Sequence, residues 1–229
     1  MAFVHDDQPQ EVYDAFNKWI FSSDQKLFNK LLSKTMFVDM TKDVPGDIVE
    51  LGVFKGSGVI AWLKALHAYG QYYKKCVGFD FFDSDQVVNS IKNEDQKDMM
   101  RSLFEEREYY NNESRPDHVL ADTLKASNYT NFTLVRGDVT KTVPEYLELS
   151  PGFRASIINF DLDVDEPTYA CLNHLWDRLS IGGIMIFDEY AVHEWTESNA
   201  VDRFCREHCL QPVYTNLFAP SAYVVKEYR

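Results

Sequence analysis

Two apolar runs in the second half of the chain each end in acid, and that pattern narrows the fold more than any other feature. Ile157-Ile158-Asn159-Phe160 stops at Asp161-Leu162-Asp163-Val164-Asp165-Glu166, and Gly183-Ile184-Met185-Ile186-Phe187 stops at Asp188-Glu189-Tyr190. About twenty residues with helical periodicity lie between them, so the runs read as neighbouring parallel strands joined by a crossover helix. In an open α/β sheet the carboxyl ends of the strands border the crevice where ligands bind. Carboxylates converging there repel one another unless a cation sits between them.

The rest of the chain fits the same plan. Residues 10–42 are helical in pattern, with Val12, Phe16, Trp19 and Ile20 on one stripe and Phe28, Leu31, Leu32, Met36 and Phe37 on a second. Pro45-Gly46 breaks that pattern. A strand over 48–51, a glycine-bearing turn over 52–58 and a helix over 59–68 follow. Strands are expected over 76–80 and 132–135, a short helix over 143–149, the crossover helix over 169–179 and a further helix over 197–208. Residues 211–217 and 222–226 read as a closing hairpin. The polar stretch 84–130, helical around 97–107 and 118–126, is either a substrate-selecting lid or a solvated decoration. The N-terminal aromatics Phe16, Trp19, Phe21, Phe28 and Phe37 are expected to pack on the sheet or, as the second reading, to form a homodimer contact. Alternating βα units with a terminal hairpin specify one doubly wound α/β domain over 1–229, with helices over 1–43 and the core over 44–229.

At 229 residues the chain is long enough for one domain with a full core. Its net charge of −13 disfavours nucleic acid and anionic membrane as partners. The N-terminus lacks a basic segment before an apolar one, and no apolar run reaches the roughly 20 residues of a membrane span, so a cytoplasmic protein is expected. Cys76, Cys171, Cys205 and Cys209 show no metal-type spacing, and the last two are expected to be core or half-buried thiols. The sequons at Asn112, Asn128 and Asn131 carry little weight without a secretion signal.

Gly52, Gly56 and Gly58 lie between the first strand and its helix, where backbone can approach a ligand and helix N–H groups can meet anionic oxygen. Their spacing is not that of a dinucleotide fingerprint, which places a nicotinamide dehydrogenase well behind other readings. Glu50 lies inside the first strand's end, and Asp80 ends the second strand where a carboxylate can bind ribose hydroxyls. Both could instead cap turns. Asp138, after the third strand, is suited to an exocyclic amine.

The chain resembles class I S-adenosylmethionine-dependent methyltransferases and, more narrowly, the macrocin O-methyltransferase (TylF-like) family of sugar O-methyltransferases. The resemblance covers roughly 44–226. Residues 45–56, Asp161-Leu162-Asp163 with Thr168, and Leu179-Ser180-Ile181-Gly182-Gly183 running into Asp188-Glu189-Tyr190 carry it. It implies a mostly parallel seven-stranded Rossmann-like sheet. It also implies that Glu50, Gly52, Lys55, Gly56 and Ser57 wrap the methionine end of the cofactor. Asp80 would then hold the ribose, Phe81 would lie against the adenine and Asp138 would reach the adenine amine. Asp161, Asp188 and Glu189 would bind a divalent cation, usually Mg²⁺. Leu162 and Glu189 depart from the family's Asp-Gly-Asp and Asp-Asp-Tyr, and residues 218–222 hold no counterpart of the histidine base found in some relatives.

The chemistry of an O-methyltransferase calls for such a cation. An alcohol with a pKa near water's ~15.7 is a poor nucleophile at neutral pH. A coordinated divalent ion lowers that pKa while a nearby base takes the proton. An all-oxygen donor set suits Mg²⁺, Mn²⁺ or Ca²⁺ rather than Zn²⁺. Asp163 or His193 is the candidate base, and Asp163 is favoured because an extended segment would point it the same way as Asp161. Asp165 and Glu166 are assigned to a helix start. The acceptor is expected to be a small molecule containing a sugar, free, glycosylated or nucleotide-linked. The alternatives are a catechol-type enzyme acting on an aromatic diol, and a non-catalytic cofactor-binding module.

Overall fold

The computed structural model describes residues 10–106 and 115–228. The N-terminal segment weighed for a signal, Arg107 at the end of the 97–107 stretch and the sequon at Asn112 lie outside them.

Seven strands among the described residues form one sheet: β1 (Asp47–Leu51), β2 (Cys76–Asp80), β3 (Phe132–Arg136), β4 (Ala155–Phe160), β5 (Leu179–Phe187), β6 (Val213–Tyr214) and β7 (Ala222–Val225). Their order is β3-β2-β1-β4-β5-β7-β6. β1 to β5 run parallel, and β7 lies antiparallel between β5 and β6. This is the doubly wound sheet with a terminal hairpin that the sequence predicts. The chain reverses its winding between β1 and β4, which is the switch point where α/β sheets open a crevice.

The helices are α1 (Gln10–Ile20), α2 (Gln25–Met40), α3 (Ser57–Ala68), α4 (Ser84–Ser90), α5 (Glu94–Glu106), α6 (Pro116–Ala126), α7 (Val139–Leu149), α8 (Asp165–Trp176) and α9 (Glu197–His208). Side chains alternate across each strand and so build two cores. Val49, Ile158 and Met185 face Val143, Leu172 and Phe204 of α7, α8 and α9. Ile48, Ile157 and Ile184 face Phe37, Trp62, Leu63 and Leu124 of α2, α3 and α6. A smaller cluster of Val88, Ile91 and Met100 packs with Val164 and Trp195, so α4 and α5 are fastened to the loops that follow β4 and β5. No helix among the described residues is long and apolar enough to cross a membrane.

The sequence reading needs several corrections. Residues 10–42 are two helices, because the Asp24 carboxylate accepts the Leu27 N–H at 3.0 Å and starts α2 afresh. α2 is also rotated from the expected face. It buries Ser33, Lys34, Phe37 and Val38, while Phe28, Leu31, Leu32 and Met36 stay exposed. α1 buries nothing, and Phe16 and Phe21 face solvent, so of the five aromatics named above only Phe37 reaches the core. α4 went unread, and α7 starts at Val139 because Asp138 caps it. α8 starts at Asp165 rather than 169, which puts Asp165 and Glu166 in its first turn next to the positive dipole end. β5 begins at Leu179 rather than at Gly183. Cys205 is buried, but Cys209 is exposed at the C-cap of α9.

Candidate active site

The register row Leu51↔Phe160↔Phe187 aligns the ends of β1, β4 and β5, so Gly52, Asp161 and Asp188 follow side by side. Each pins the next. Asp161 N–H donates to the Leu51 carbonyl at 2.9 Å, and Asp188 N–H to the Phe160 carbonyl at 3.0 Å. Gly52 has φ +87°, and any Cβ there would overlap the Asp161 carbonyl oxygen. Glycine is therefore required at this backbone crossing.

Around this row the carboxylates converge. Asp188 and Glu189 are buried, Asp163 is half-buried and Glu197 is fully enclosed. Glu197 Oε1 accepts the Glu189 N–H at 3.2 Å. The counter-charge comes from α2. Lys30 Nζ lies 2.9 Å from Asp161 Oδ2 and 2.7 Å from Asp188 Oδ2, and Lys26 Nζ lies 2.6 Å from Glu189 Oε1. Two ammoniums do not neutralise this many acids. Burial, and then repulsion from Asp161, Glu189 and Asp188, pushes the Asp163 carboxyl up to about 8. Burial and Asp161 push Asp188 up to about 7, against the pull of Lys30. Burial, with Asp188 behind it, holds Glu197 well above the carboxylate range. Asp161 goes the other way: burial opposes its charge, but Lys30 more than offsets that and lowers it.

Asp161, Asp188 and Glu189, the expected metal ligands, are thus brought together, but around lysines. Among the described residues no group of three or more acids, histidines or cysteines is set to hold a metal ion. The donor chemistry nonetheless fits a hard divalent cation. The donors are all oxygen, negative charge is in excess, and the buried Glu189 Oε2 has no hydrogen-bond partner among the described residues. Asp163 reaches the cluster by a different route from the one expected. Its φ of +65° makes a left-handed turn, so the segment after β4 is not extended. His193 is exposed in the loop after β5 and has no hydrogen bond or ion pair among the described residues.

On the β1–β2 side, Glu50 lies beneath the glycine turn. Trp62 Nε1 donates to its Oε2, and Lys34 Nζ sits 3.9 Å from its Oε1. A Cβ on Gly58 would overlap that same Oε1. Burial raises the Glu50 carboxyl despite both partners. Asp80 Oδ2 accepts the N–H groups of Val53 (2.8 Å) and Phe54 (2.9 Å), and its Oδ1 accepts that of Phe82 at 2.7 Å. The tip of β2 therefore holds the turn after β1. Lys55 and Ser57 are exposed on that turn, and Gly56, at φ +89°, is covered by Leu120 of α6. Phe81 and Asp138 line one cleft of about 500 Å³ with Gln86, Asn89, Thr142 and Glu145. Asp138 also caps α7, where its Oδ1 accepts from Thr140 N–H at 3.0 Å. A larger cleft of about 590 Å³, between α6 and β3, is lined by Arg115, Asp117, His118 and Arg136 and contains none of the expected site residues.

With this geometry in view, the comparison with known proteins is decisive as to family. Residues 25–223 match the sequence profile of the macrocin-O-methyltransferase (TylF) family. The chain belongs to that family. It is 29% identical over 154 residues to the 8-demethyl-8-(2,3-dimethoxy-alpha-L-rhamnosyl)-tetracenomycin-C 4'-O-methyltransferase of Streptomyces olivaceus, covering 65% of this chain and 54% of that protein. The chain thus spans about half the length of that relative. It is 27% identical over 183 residues to the mycinamicin III 3''-O-methyltransferase of Micromonospora griseorubida, covering 75% of this chain and 68% of that one. CalS11, a calicheamicin methyltransferase, superimposes with a TM-score of 0.74 at 24% identity over 96% of this chain and 87% of its own. The O-methyltransferase NovP gives 0.71 at 19% over 87% and 80%. The fold of this TylF-family chain is that of class I methyltransferases.

Lys26, Lys30 and Lys34 are among the site residues that sequence reasoning missed, together with Trp62 and Glu197. A signal was present: three lysines at a spacing of four on one helix, in a chain of net charge −13. Like charges so placed repel along a helix face unless acids meet them.

Proposed function

We propose that this protein is an S-adenosylmethionine-dependent, divalent-cation-dependent O-methyltransferase acting on a hydroxyl of a sugar, free or carried on a glycoside or nucleotide. The observation that carries this reading is the edge-to-edge contact of the Gly52 turn with the Asp161–Asp188 tips. A donor cradle and an oxygen-rich cation site there share one crevice. The sugar component draws support from the family and from relatives whose names specify methylation of a rhamnosyl-bearing tetracenomycin and of mycinamicin III.

The donor cradle fits S-adenosylmethionine. Gly52 leaves no side chain at the crossing, Asp80 presents a carboxylate at the tip of β2, and Phe81 with Asp138 offers an aromatic face and an acceptor in one cleft. The Glu50–Trp62–Lys34 unit props the turn from beneath. Asp161, Asp188 and Glu189 would hold the cation. When bound, that cation supplies Lewis acidity to a substrate hydroxyl, lowering its pKa and fixing its position for in-line attack. Asp163 takes the proton. Its place within the acid cluster favours it over the exposed His193.

The test is a mass-spectrometric assay with S-adenosylmethionine, Mg²⁺ and a panel of glycosides, nucleotide sugars and catechols. Methylation confined to the sugars is the expected result. Methylation of catechols alone, or cofactor binding with no acceptor methylated, would overturn the reading.

A further inference from the structure

Lys30 and Lys26 stand where positive charge from outside the chain would otherwise be needed. Lys30 bridges two strand-tip carboxylates at 2.7 and 2.9 Å, and Lys26 holds a third at 2.6 Å. Each ammonium occupies one oxygen of these carboxylates, and at such range its positive charge opposes a divalent cation on the same groups by like-charge repulsion. The helix that carries these lysines is built in two halves. Ser33, Lys34, Phe37 and Val38, in the second half, are buried. Lys34 is further anchored over the Trp62 ring at 4.3 Å. The first half, residues 25–32, buries no residue and presents Leu27, Phe28, Leu31 and Leu32 to solvent. Ahead of it, α1 buries nothing either.

We propose that the first half of α2 is a displaceable strap. In the cation-free protein Lys30 and Lys26 plug the carboxylate cluster, and a divalent cation that binds Asp161, Asp188 and Glu189 expels both ammoniums and lifts residues 25–32 away. The second half stays in the core and acts as the hinge's fixed arm. The inference rests on reading the cluster as a cation site. It adds that loading the cation is coupled to opening of the first half of α2, which carries the lysines paired with these carboxylates.

Two measurements on the full chain test it, with Mn²⁺ as the probe. Calorimetric titration of metal-free protein should show Lys30→Met binding Mn²⁺ at least ~10-fold tighter than wild type, equivalent to about 1.4 kcal/mol. Amide hydrogen exchange of wild type, which needs no variant to fold, should accelerate over 25–32 on saturation with Mn²⁺ while 33–40 stays protected. The strap is overturned, with the cation site intact, if wild type binds Mn²⁺ but Lys30→Met binds no tighter. Unchanged exchange over 25–32 at saturation overturns it in the same way. If neither protein binds Mn²⁺, the cation reading fails and the strap with it.

Discussion

Gly52 and Asp161 meet backbone to backbone: a methyl group on Gly52 would overlap the Asp161 carbonyl oxygen. The turn after β1 and the acid tip of β4 are thereby held as one rigid edge, pinned further by Asp161 N–H on the Leu51 carbonyl. Gly52→Ala meets both this overlap and the φ of +87°. It should destabilise the fold by about 2 kcal/mol or more in urea unfolding. The surviving protein should bind S-adenosylmethionine at least ~10-fold more weakly. An alanine variant of unchanged stability and affinity would show that the two tips are not coupled.

Trp62 is the partner that makes a buried Glu50 tolerable. Trp62→Phe keeps an aromatic ring but deletes the N–H that donates to Glu50 Oε2, leaving that oxygen unpaired. The cost should be about 1–3 kcal/mol in chemical denaturation. A change below ~0.5 kcal/mol would mean that Lys34 alone satisfies the carboxylate.

Asp80 ties β2 to the glycine turn through two backbone N–H groups, those of Val53 and Phe54. Asp80→Ala should release Val53 and Phe54, visible as faster amide exchange over 52–56, and weaken cofactor binding by at least ~10-fold. Slow exchange retained in that segment would contradict the role assigned to Asp80.

The acid cluster makes the cation-free protein pH-sensitive in a defined direction. The folded protein holds protons on Asp163 to about 8 and on Asp188 to about 7, whereas the unfolded chain gives them up near ~4. Their stabilising contribution is complete below ~pH 4 and is lost as the pH rises through 7 to 8. In chelator, the Tm of wild type should therefore fall between ~pH 5 and ~pH 8.5 by more than that of Asp163→Asn. Parallel curves for the two proteins would refute the shift at Asp163.

How much of this was readable from the sequence follows from burial. β1, β2 and β4 are covered on both faces, so each appears as an apolar run with an abrupt polar end, and all three were located to within about two residues. The convergence of acids at the ends of β4 and β5 was legible for the same reason, since a strand covered on both sides can place charge only at its tip. α2 was not legible. Its apolar residues suggested one inward face, but the acids at the sheet edge attract Lys26, Lys30 and Lys34 instead and turn that apolar stripe to solvent. That preference takes effect only once the strands have assembled, and its trace in the sequence is the recurrence of Lys26, Lys30 and Lys34 at every fourth residue, which competes with the apolar stripe. Asp163 shows the same limit at smaller scale. Its left-handed turn was hidden, because the enrichment of Asp at positive φ is too weak a signature to single out one of the several aspartates in this segment.

The most direct test of the account is turnover of a methylated sugar acceptor by wild type and Asp161→Asn, with Mg²⁺ and with a chelator. The account predicts turnover by wild type with Mg²⁺, loss in chelator restored by added Mg²⁺, and at least ~100-fold less product from Asp161→Asn at near-wild-type Tm. Undiminished turnover in chelator, or an Asp161→Asn variant as active as wild type, would contradict it.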